Sequence, residues 1–399
     1  MTAMEKKDKN LNVPNLRFSE FSGEWKKYLL KSITNIYDGT HQTPKYTKSG
    51  VPFMSVEDVT QKSSKEQKYI SEQDFQNDFR NPPQKGDILM TRIGDIGTPC
   101  IVPTNEALGY YVSLALIRPL EKLQSCFLNY AIQSNSFKRE LYKRTIHVAF
   151  PQKINKEDIG KCKLDVPSIE EQSRIGDLLS LIDERIETQR KIIEDLKKLK
   201  DAICNMNFTS GSALKLGNVG KFVRGLTYSA SDVIDDTMGT AVMRSNNISN
   251  GDPANFEELI WVNKTLNHEQ ILRGGDIIIC MANGSSPLVG KASYYIDCGM
   301  ESATVGAFCG IYRSYNPLTK WLFQTKHYKK YIQRCIQGGN GAIANIYPED
   351  ILAISFNIPS GYERVLNVLN SLEEKYLLEQ KLLYRYLAVK SHLLAQLFI

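Results

Sequence analysis

No stretch of this chain approaches the roughly 18 consecutive apolar residues that a membrane helix needs, and the opening MTAMEKKDKN carries charge with no apolar run behind it. A soluble, cytoplasmic protein with no membrane partner is therefore expected. Eight cysteines, at positions 100, 126, 162, 204, 280, 298, 309 and 335, stand singly with no C-x-x-C pair. That spacing argues against a zinc knuckle and, without a secretory context, against a disulfide framework; reduced, mostly buried thiols are expected. The five histidines, at 41, 147, 268, 327 and 392, have no metal-ligand spacing. There is no G-x-x-x-x-G-K-S/T for a nucleotide phosphate, and Gly338-Gly339-Asn340-Gly341 lacks the G-x-G-x-x-G spacing.

Catalytic carboxylates are equally hard to assemble. Asp87 and Asp95 have no Glu-x-Lys nearby to complete a metal-dependent nuclease motif. Glu57-Asp58 and Glu157-Asp158 are adjacent, and neighbours on a strand point to opposite faces. Asn81-Pro82-Pro83-Gln84 is similar to the N-P-P-aromatic loop of amino-methyltransferases, but Gln84 replaces the aromatic ring that stacks on a flipped base. It reads as a turn ahead of a strand. A chain that is itself a methyltransferase or nuclease is disfavoured, and no catalytic residue, metal site or cofactor is assigned to it.

What is present is enough for large cores. With 399 residues, 42% hydrophobic and 24% charged, the chain should fold into two or three domains. The formal net charge of +6 is uneven: residues 1–167 hold 25 Lys and Arg against 19 Asp and Glu, whereas 208–359 hold 13 against 12. An anionic partner is permitted, above all at the first segment.

The strongest signal is a repeat with a period of about 190 residues, the length of a duplicated domain. Leu30 to Gly39 aligns with Leu216 to Gly225, and Phe53 to Val59 with Val242 to Ile248. Gly86-Asp87-Ile88-Leu89 aligns with Gly275-Asp276-Ile277-Ile278, Ile154 to Ile159 with Ile346 to Ile351, and Pro167-Ser168 with Pro359-Ser360.

Each copy ends in a long helical pattern. Ile175, Leu179, Ile182, Ile186, Gln189, Ile193, Leu196, Lys200 and Ile203 alternate spacings of four and three, a coiled-coil seam. Ser168 with Glu171 forms a candidate capping box at its start. At 1.5 Å per residue the helix would be about 55 Å long. A shift of 191 places Ile175 on Leu366, Leu178 on Leu369, Ile186 on Leu377, Leu196 on Leu387 and Gln189 on Gln380. A polar residue in both seams fixes register or partner choice, or faces solvent; the sequence leaves both open.

The expected architecture is α+β: two similar globular domains, which the resemblance given below implies are target-recognition domains, separated by a pair of long antiparallel coiled-coil helices. The boundaries are a tail over 1–17, a first domain over 18–167, a helix over 168–207, a second domain over 208–359 and a helix over 360–399. Apolar, β-branched runs at Ile33 to Tyr37, Ile88 to Ile93, Tyr110 to Ile117, Ile277 to Met281, Ser293 to Ile296 and Thr304 to Tyr312 predict strands. Helices are predicted over Phe127 to Tyr142 and Leu318 to Ile336.

Between these elements lie loops of the residue types that grip phosphates and read base edges. In the first copy they hold Thr40, His41, Thr43, Lys45 and Tyr46, then Arg92, then Lys143, Arg144 and His147. In the second they hold Arg224 and Tyr228, then Arg244, Asn246 and Asn247, then Asn283 and Ser285, then Asn340. The scaffold repeats while the loops differ, as expected of two domains reading two different DNA sequences. A coiled-coil scaffold that binds proteins instead of DNA is the competing reading.

Pro14, Leu16-Arg17-Phe18, Phe21 and Trp25 are followed by Gly39-Thr40-His41 with Pro44 and by Gly86-Asp87-Ile88-Leu89. Val166-Pro167 and Glu170-Glu171-Gln172 then open a long helix that contains Ile182-Asp183. This order, with the whole duplicated, resembles the specificity subunit of a type I restriction-modification enzyme over nearly the full chain. The second copy departs from the pattern: Tyr362-Glu363-Arg364 stands where Glu-Gln is expected, and Arg224-Gly225-Leu226-Thr227 replaces the Gly-Thr-His loop. The resemblance implies a non-catalytic subunit whose two domains read the two halves of a split site in double-stranded DNA. It also implies two methyltransferase subunits that modify adenine from S-adenosylmethionine and two restriction subunits that translocate and cleave with ATP and Mg, these cofactors binding the partners and not this chain.

Overall fold

The computed structural model describes residues 12–42, 44–60, 67–300, 302–338 and 343–399. It divides into two compact units, Met1–Arg190 with Lys381–Ile399, and Lys191–Gln380. Among the described residues no helix is long and apolar enough to cross a membrane.

In the first unit an antiparallel sheet is ordered Thr34–Asp38, Leu114–Pro119, Ile88–Ile93, Asp95–Ile101. A second sheet is ordered Lys68–Ile70, Val51–Met54, Gly109–Tyr110, with its last pair parallel. The central strand is apolar at consecutive positions because both of its faces are covered. Ile88 and Met90 join a core with Trp25, Phe127 and Ile175, whereas Leu89 packs with Phe53, Tyr110 and Leu116 on the other side. Lys26–Leu29 pairs with Lys163–Val166 at the base.

The second unit repeats this plan. Its main sheet is Gly220–Arg224, Cys309–Ser314, Ile277–Cys280, Ala292–Tyr294, and its second is Val233–Ile234, Ile260–Val262, Thr240–Met243, Ala303–Val305. Ser212–Lys215 pairs with Ser355–Ile358 as the base strands do in the first unit. Ile277 and Ile279 face the helix-side core, Ile278 and Cys280 the other. The repeat seen in the sequence is thus a repeat of strand order, including the one parallel pair in each second sheet.

Two helical predictions need correction. The Phe127 to Tyr142 segment is two helices, Ser125–Gln133 and Asn135–Tyr142, and the Leu318 to Ile336 segment is also two, Thr319–Leu322 and Lys326–Cys335. Ser134 and Thr325 are the breaks. Each hydroxyl donates back to the carbonyl of Ala131 or Leu322 and accepts the amide of Phe137 or Tyr328, so a buried N-cap starts the second helix. Apolar periodicity runs through both breaks and hides them.

The long helices are Ile169–Asn207 and Tyr362–Gln396. In the first unit Ile175 and Leu179 pack with Leu393, Leu394 and Leu397, and Lys390 pairs with Asp183 at 2.7 Å. In the second, Cys204 and Phe208 pack with Leu366 and Leu369, and Lys200 pairs with Glu373 at 2.8 Å. In each unit the two segments therefore run antiparallel. Asp183 corresponds to Glu373, and Lys200 to Lys390, at a shift of 190 rather than 191. Buried Leu179, Ile186 and Gln189 correspond at that shift to buried Leu369, Tyr376 and Glu379. Gln380 is accordingly not the counterpart of Gln189; it is half-buried and donates to the Tyr376 hydroxyl at 2.9 Å. Leu387, placed in the seam by the sequence, is 39% exposed.

The capping box is only half formed. Ser168 Oγ accepts the Glu171 amide, but the Glu171 carboxylate is buried against Arg17, at 2.8 and 2.7 Å, and the Trp25 indole N–H. Residues 12–17, assigned to a tail by sequence, are therefore held to the first unit, and the Leu16 amide also donates to the Gln396 carbonyl.

Of the cysteines, 162, 204, 280 and 309 are buried, 100, 126 and 335 are half-buried, and Cys298 is exposed. Burial pushes the thiols of Cys162 and Cys204 up to about 12, which removes the reactive thiolate at neutral pH. Brief treatment of the native protein with iodoacetamide is expected to alkylate Cys298 first and to spare Cys162 and Cys204, as peptide mass mapping would show; early labelling of Cys162 or Cys204 would contradict the packing.

Candidate nucleic-acid interface

Each unit positions its loops from a buried clasp. In the first, Gly86 takes φ 91°, and the Asp87 carboxylate accepts the Gln84 amide at 2.9 Å and the Arg118 guanidinium at 2.7 to 3.1 Å. Arg118 also donates to the Pro82 carbonyl, so Asn81 to Gln84 is a pinned turn ahead of the Ile88–Ile93 strand. In the second unit Gly275 again takes φ 91°, and Asp276 accepts the Arg273 amide at 2.8 Å and Arg313 at 2.8 and 2.6 Å. The Asp of the repeated Gly-Asp pair is thus a structural anion and not half of a nuclease site. Its partners, Arg118 and Arg313, were not singled out by sequence; the signal was an arginine at the penultimate position of an apolar strand in both copies.

A second repeated device brings the first loop close. A Cβ at Gly39 would lie 2.5 Å from the Tyr110 carbonyl oxygen, and one at Gly225 would lie 2.2 Å from that of Gly306. Only glycine lets the backbone pass there, after which the chain pairs with the next segment at Thr40 and Tyr111, and at Leu226 and Gly306.

In the second unit the loops meet around a cavity of about 450 Å³ lined by Tyr228, Arg244, Ser245, Asn283, Phe308 and Ile343 among others. Three predicted residues from three separate loops, Tyr228, Arg244 and Asn283, converge here. Asn283 donates to Ser245 Oγ at 3.2 Å and accepts the Ser285 amide at 2.9 Å, which fixes its side-chain amide. Arg244 is exposed, and its guanidinium has no ion-pair partner among the described residues. An arginine and an asparagine beside aromatic rings match what base edges require: a bidentate donor for guanine, and a donor and acceptor for adenine. Phe308, 64% exposed at the rim, had no sequence signal beyond being aromatic.

Other predicted residues are taken up internally. Asn247 is fully buried: it accepts the Arg244 amide and donates to Asn255 and to the Glu257 carbonyl, so it shapes the loop and cannot reach a base. Arg92 is 7% exposed, donates to the Val112 carbonyl at 2.7 Å and pairs with Asp38 at 3.0 Å. Thr40 is buried and donates to Asp78. These three are corrected from readers to supports. A run of polar residues gives no indication of which ones a tertiary fold will bury.

The exposed remainder in the first unit is His41, Lys45 and Tyr46 on one loop, and Lys143 and His147 on another, with Arg144 half-buried between them. Lys45 has no acidic partner among the described residues; Tyr46 stands edge-on to Phe53 and lies 5.5 Å from the Lys68 ammonium. Lys143 and Arg144 share Glu140, at 3.2 and 2.9 Å. In the second unit Arg224, Asn246 and Ser285 are exposed. Thr43 and Asn340 lie outside the described residues.

Residues 22–198 match the sequence model of the type I restriction modification DNA specificity domain. Among characterised proteins, the chain is 27% identical over 212 residues to the type I restriction enzyme MjaVIII specificity subunit of Methanocaldococcus jannaschii, which covers 49% of this chain and 48% of that one. It is 30% identical over 156 residues to the EcoKI specificity subunit of Escherichia coli, covering 36% of this chain and 32% of that one. The matched stretches span half or less of these relatives. A crystal structure of the type I restriction-modification S subunit from M. genitalium shares the fold with a TM-score of 0.58 at 15% identity, over 97% of this chain and 99% of that one.

Proposed function

We propose that this chain is the non-catalytic, sequence-specific DNA-binding specificity subunit of a type I restriction-modification complex. The observation that carries this reading is the pairing of a repeated scaffold with unlike loops. Both units have the same strand order in the main sheet and the same Asp–Arg clasp, yet one exposes Lys45, Tyr46 and His147 where the other exposes Arg244 and Phe308 beside a half-buried Asn283. Two readers on one plan suit a split target, one half per unit, with the antiparallel helix pair setting the gap as a dimer axis does in other DNA readers. The complex would include two methyltransferase subunits modifying adenine, and two restriction subunits. S-adenosylmethionine, ATP and Mg would bind those partners, in the cytoplasm.

Co-expression with the neighbouring methyltransferase gene, in a host without other adenine methylation, is expected to yield modified adenines in one split motif with a constant gap. A continuous motif would overturn the two-reader arrangement. Binding to a defined duplex should fall steeply with salt as phosphate contacts release counterions; a soluble complex whose polyanion binding is absent would favour the protein-scaffold reading. Arg244→Ala is expected to relax one half of the motif, at a discrimination cost of about 1–3 kcal/mol, and Lys45→Ala to weaken the other half only. Methylation maps of the two variants would test this, and simultaneous change in both halves would count against it.

A further inference from the structure

The basic side of the first unit ends in a loop whose two apolar side chains stand wholly in solvent: Val148 is 97% and Phe150 104% exposed. The loop is nevertheless tied down. The Ile146 amide donates to the Lys153 carbonyl at 2.7 Å, the Gly94 amide to Gln152 at 2.8 Å, and the Ile154 amide to Arg92 at 3.0 Å. Its stem is thereby pinned to the Ile88–Ile93 strand, and the His147 ring lies tilted against Tyr142 at 4.4 Å. A fully exposed phenylalanine on an anchored stem is unfavourable in water unless something covers it.

The surroundings indicate what does. Residues 138–153 contain five Lys and Arg and a single acid, Glu140, a local charge of +4. Glu140 is engaged by Lys143 and Arg144, which leaves Lys138, Arg139 and Lys153 without an acidic partner among the described residues. Positive charge on the segment that carries the protruding ring suits phosphates on either side of a base step. A protein partner would need about 800 Å² per side, which one ring and one valine cannot supply. In the second unit the corresponding stretch, Gln337 to Asn345, has no aromatic residue.

We propose that Phe150, with Val148 beside it, inserts as an apolar wedge between two base pairs of the half-site read by the first unit, while Lys138, Arg139 and Lys153 hold the flanking phosphates. The proposal rests on the DNA-reader function and adds to it that one half-site is read partly through its ability to unstack.

The test uses the full-length chain and a duplex carrying the methylation-mapped motif, with 2-aminopurine placed at successive steps of both halves. Wild-type protein is expected to raise the fluorescence at one step of one half only. Phe150→Ala should abolish that rise and weaken binding about 10- to 100-fold, Phe150→Trp should retain both, and the thermal midpoint should stay unchanged because the ring packs on nothing. Wild-type binding with no fluorescence rise, or Phe150→Ala matching wild type, would overturn the wedge and leave the DNA-reader function intact. Phe150→Ala that keeps DNA affinity but no longer captures the methyltransferase subunit would reassign the tip to a protein contact. A wild-type chain that binds no duplex would overturn the DNA-reader function, and the wedge with it.

Discussion

Asp276→Ala is expected to destabilise the second unit by about 3–5 kcal/mol, because it strands a buried guanidinium. Arg313 is 5% exposed in its side chain and Asp276 3%; besides the carboxylate, Arg313 donates to the carbonyls of Glu269 and Ile271. Those carbonyls cannot neutralise a full charge in so dry a place, and the other carboxylate, Glu269 at 3.7 Å, is 44% exposed and screened by water, so removing Asp276 costs far more than an exposed pair would. Asp87→Ala in the first unit should cost less, since Arg118 is 21% exposed and water can reach it. Denaturant unfolding followed by tryptophan fluorescence separates the units: Trp25 lies in the first, Trp261 and Trp321 in the second. Equal losses for the two variants would argue that burial does not set the cost. A loss below about 1 kcal/mol for Asp276→Ala would place the clasp among ordinary surface pairs.

Lys200→Met should have a comparable effect for the same reason, and here a rescue is available. Lys200 and Glu373 are 1% and 5% exposed in their side chains, the Tyr294 hydroxyl donates to the same carboxylate, and the Lys200 ammonium lies 4.6 Å from the Tyr376 ring. Methionine fills the space of the lysine but leaves Glu373 charged and uncompensated, so a loss of about 3–5 kcal/mol is expected. Adding Glu373→Leu should recover most of it, as apolar replacements of whole buried pairs often do. Trp321, 5.9 Å from the ammonium, reports this unfolding directly. A double variant as unstable as the single would show that the hydrogen bond from Tyr294, and not the charge, dominates.

The Lys200–Glu373 network bears on the helix seam. A seam of Glu373, Tyr376, Glu379, Tyr386 and Lys390 is poor in leucine, so counting apolar residues shifts it by one position toward Leu377 and Leu387. Its polar members are buried or half-buried because each unit supplies partners: Tyr294 and Lys200 for Glu373, Asp252 for Tyr376, Lys375 for Glu379, and Asp183 for Lys390. A sequence shows the residues but not these partners.

By itself the sequence determined the duplication, three strand-forming runs and one long helix in each copy, and the candidate loops, because these depend on local period, turn chemistry and similarity between copies. Only the tertiary structure decided which loop residues face out. Thr40, Arg92 and Asn247 have the chemistry of readers, yet carbonyls and carboxylates distant in sequence consume it, whereas Tyr228, Arg244 and Asn283 come from three loops to line one cavity. The Asp87–Arg118 and Asp276–Arg313 clasps join residues 31 and 37 positions apart. Burial and pairing are properties of neighbours in space, which a pattern along the chain does not contain.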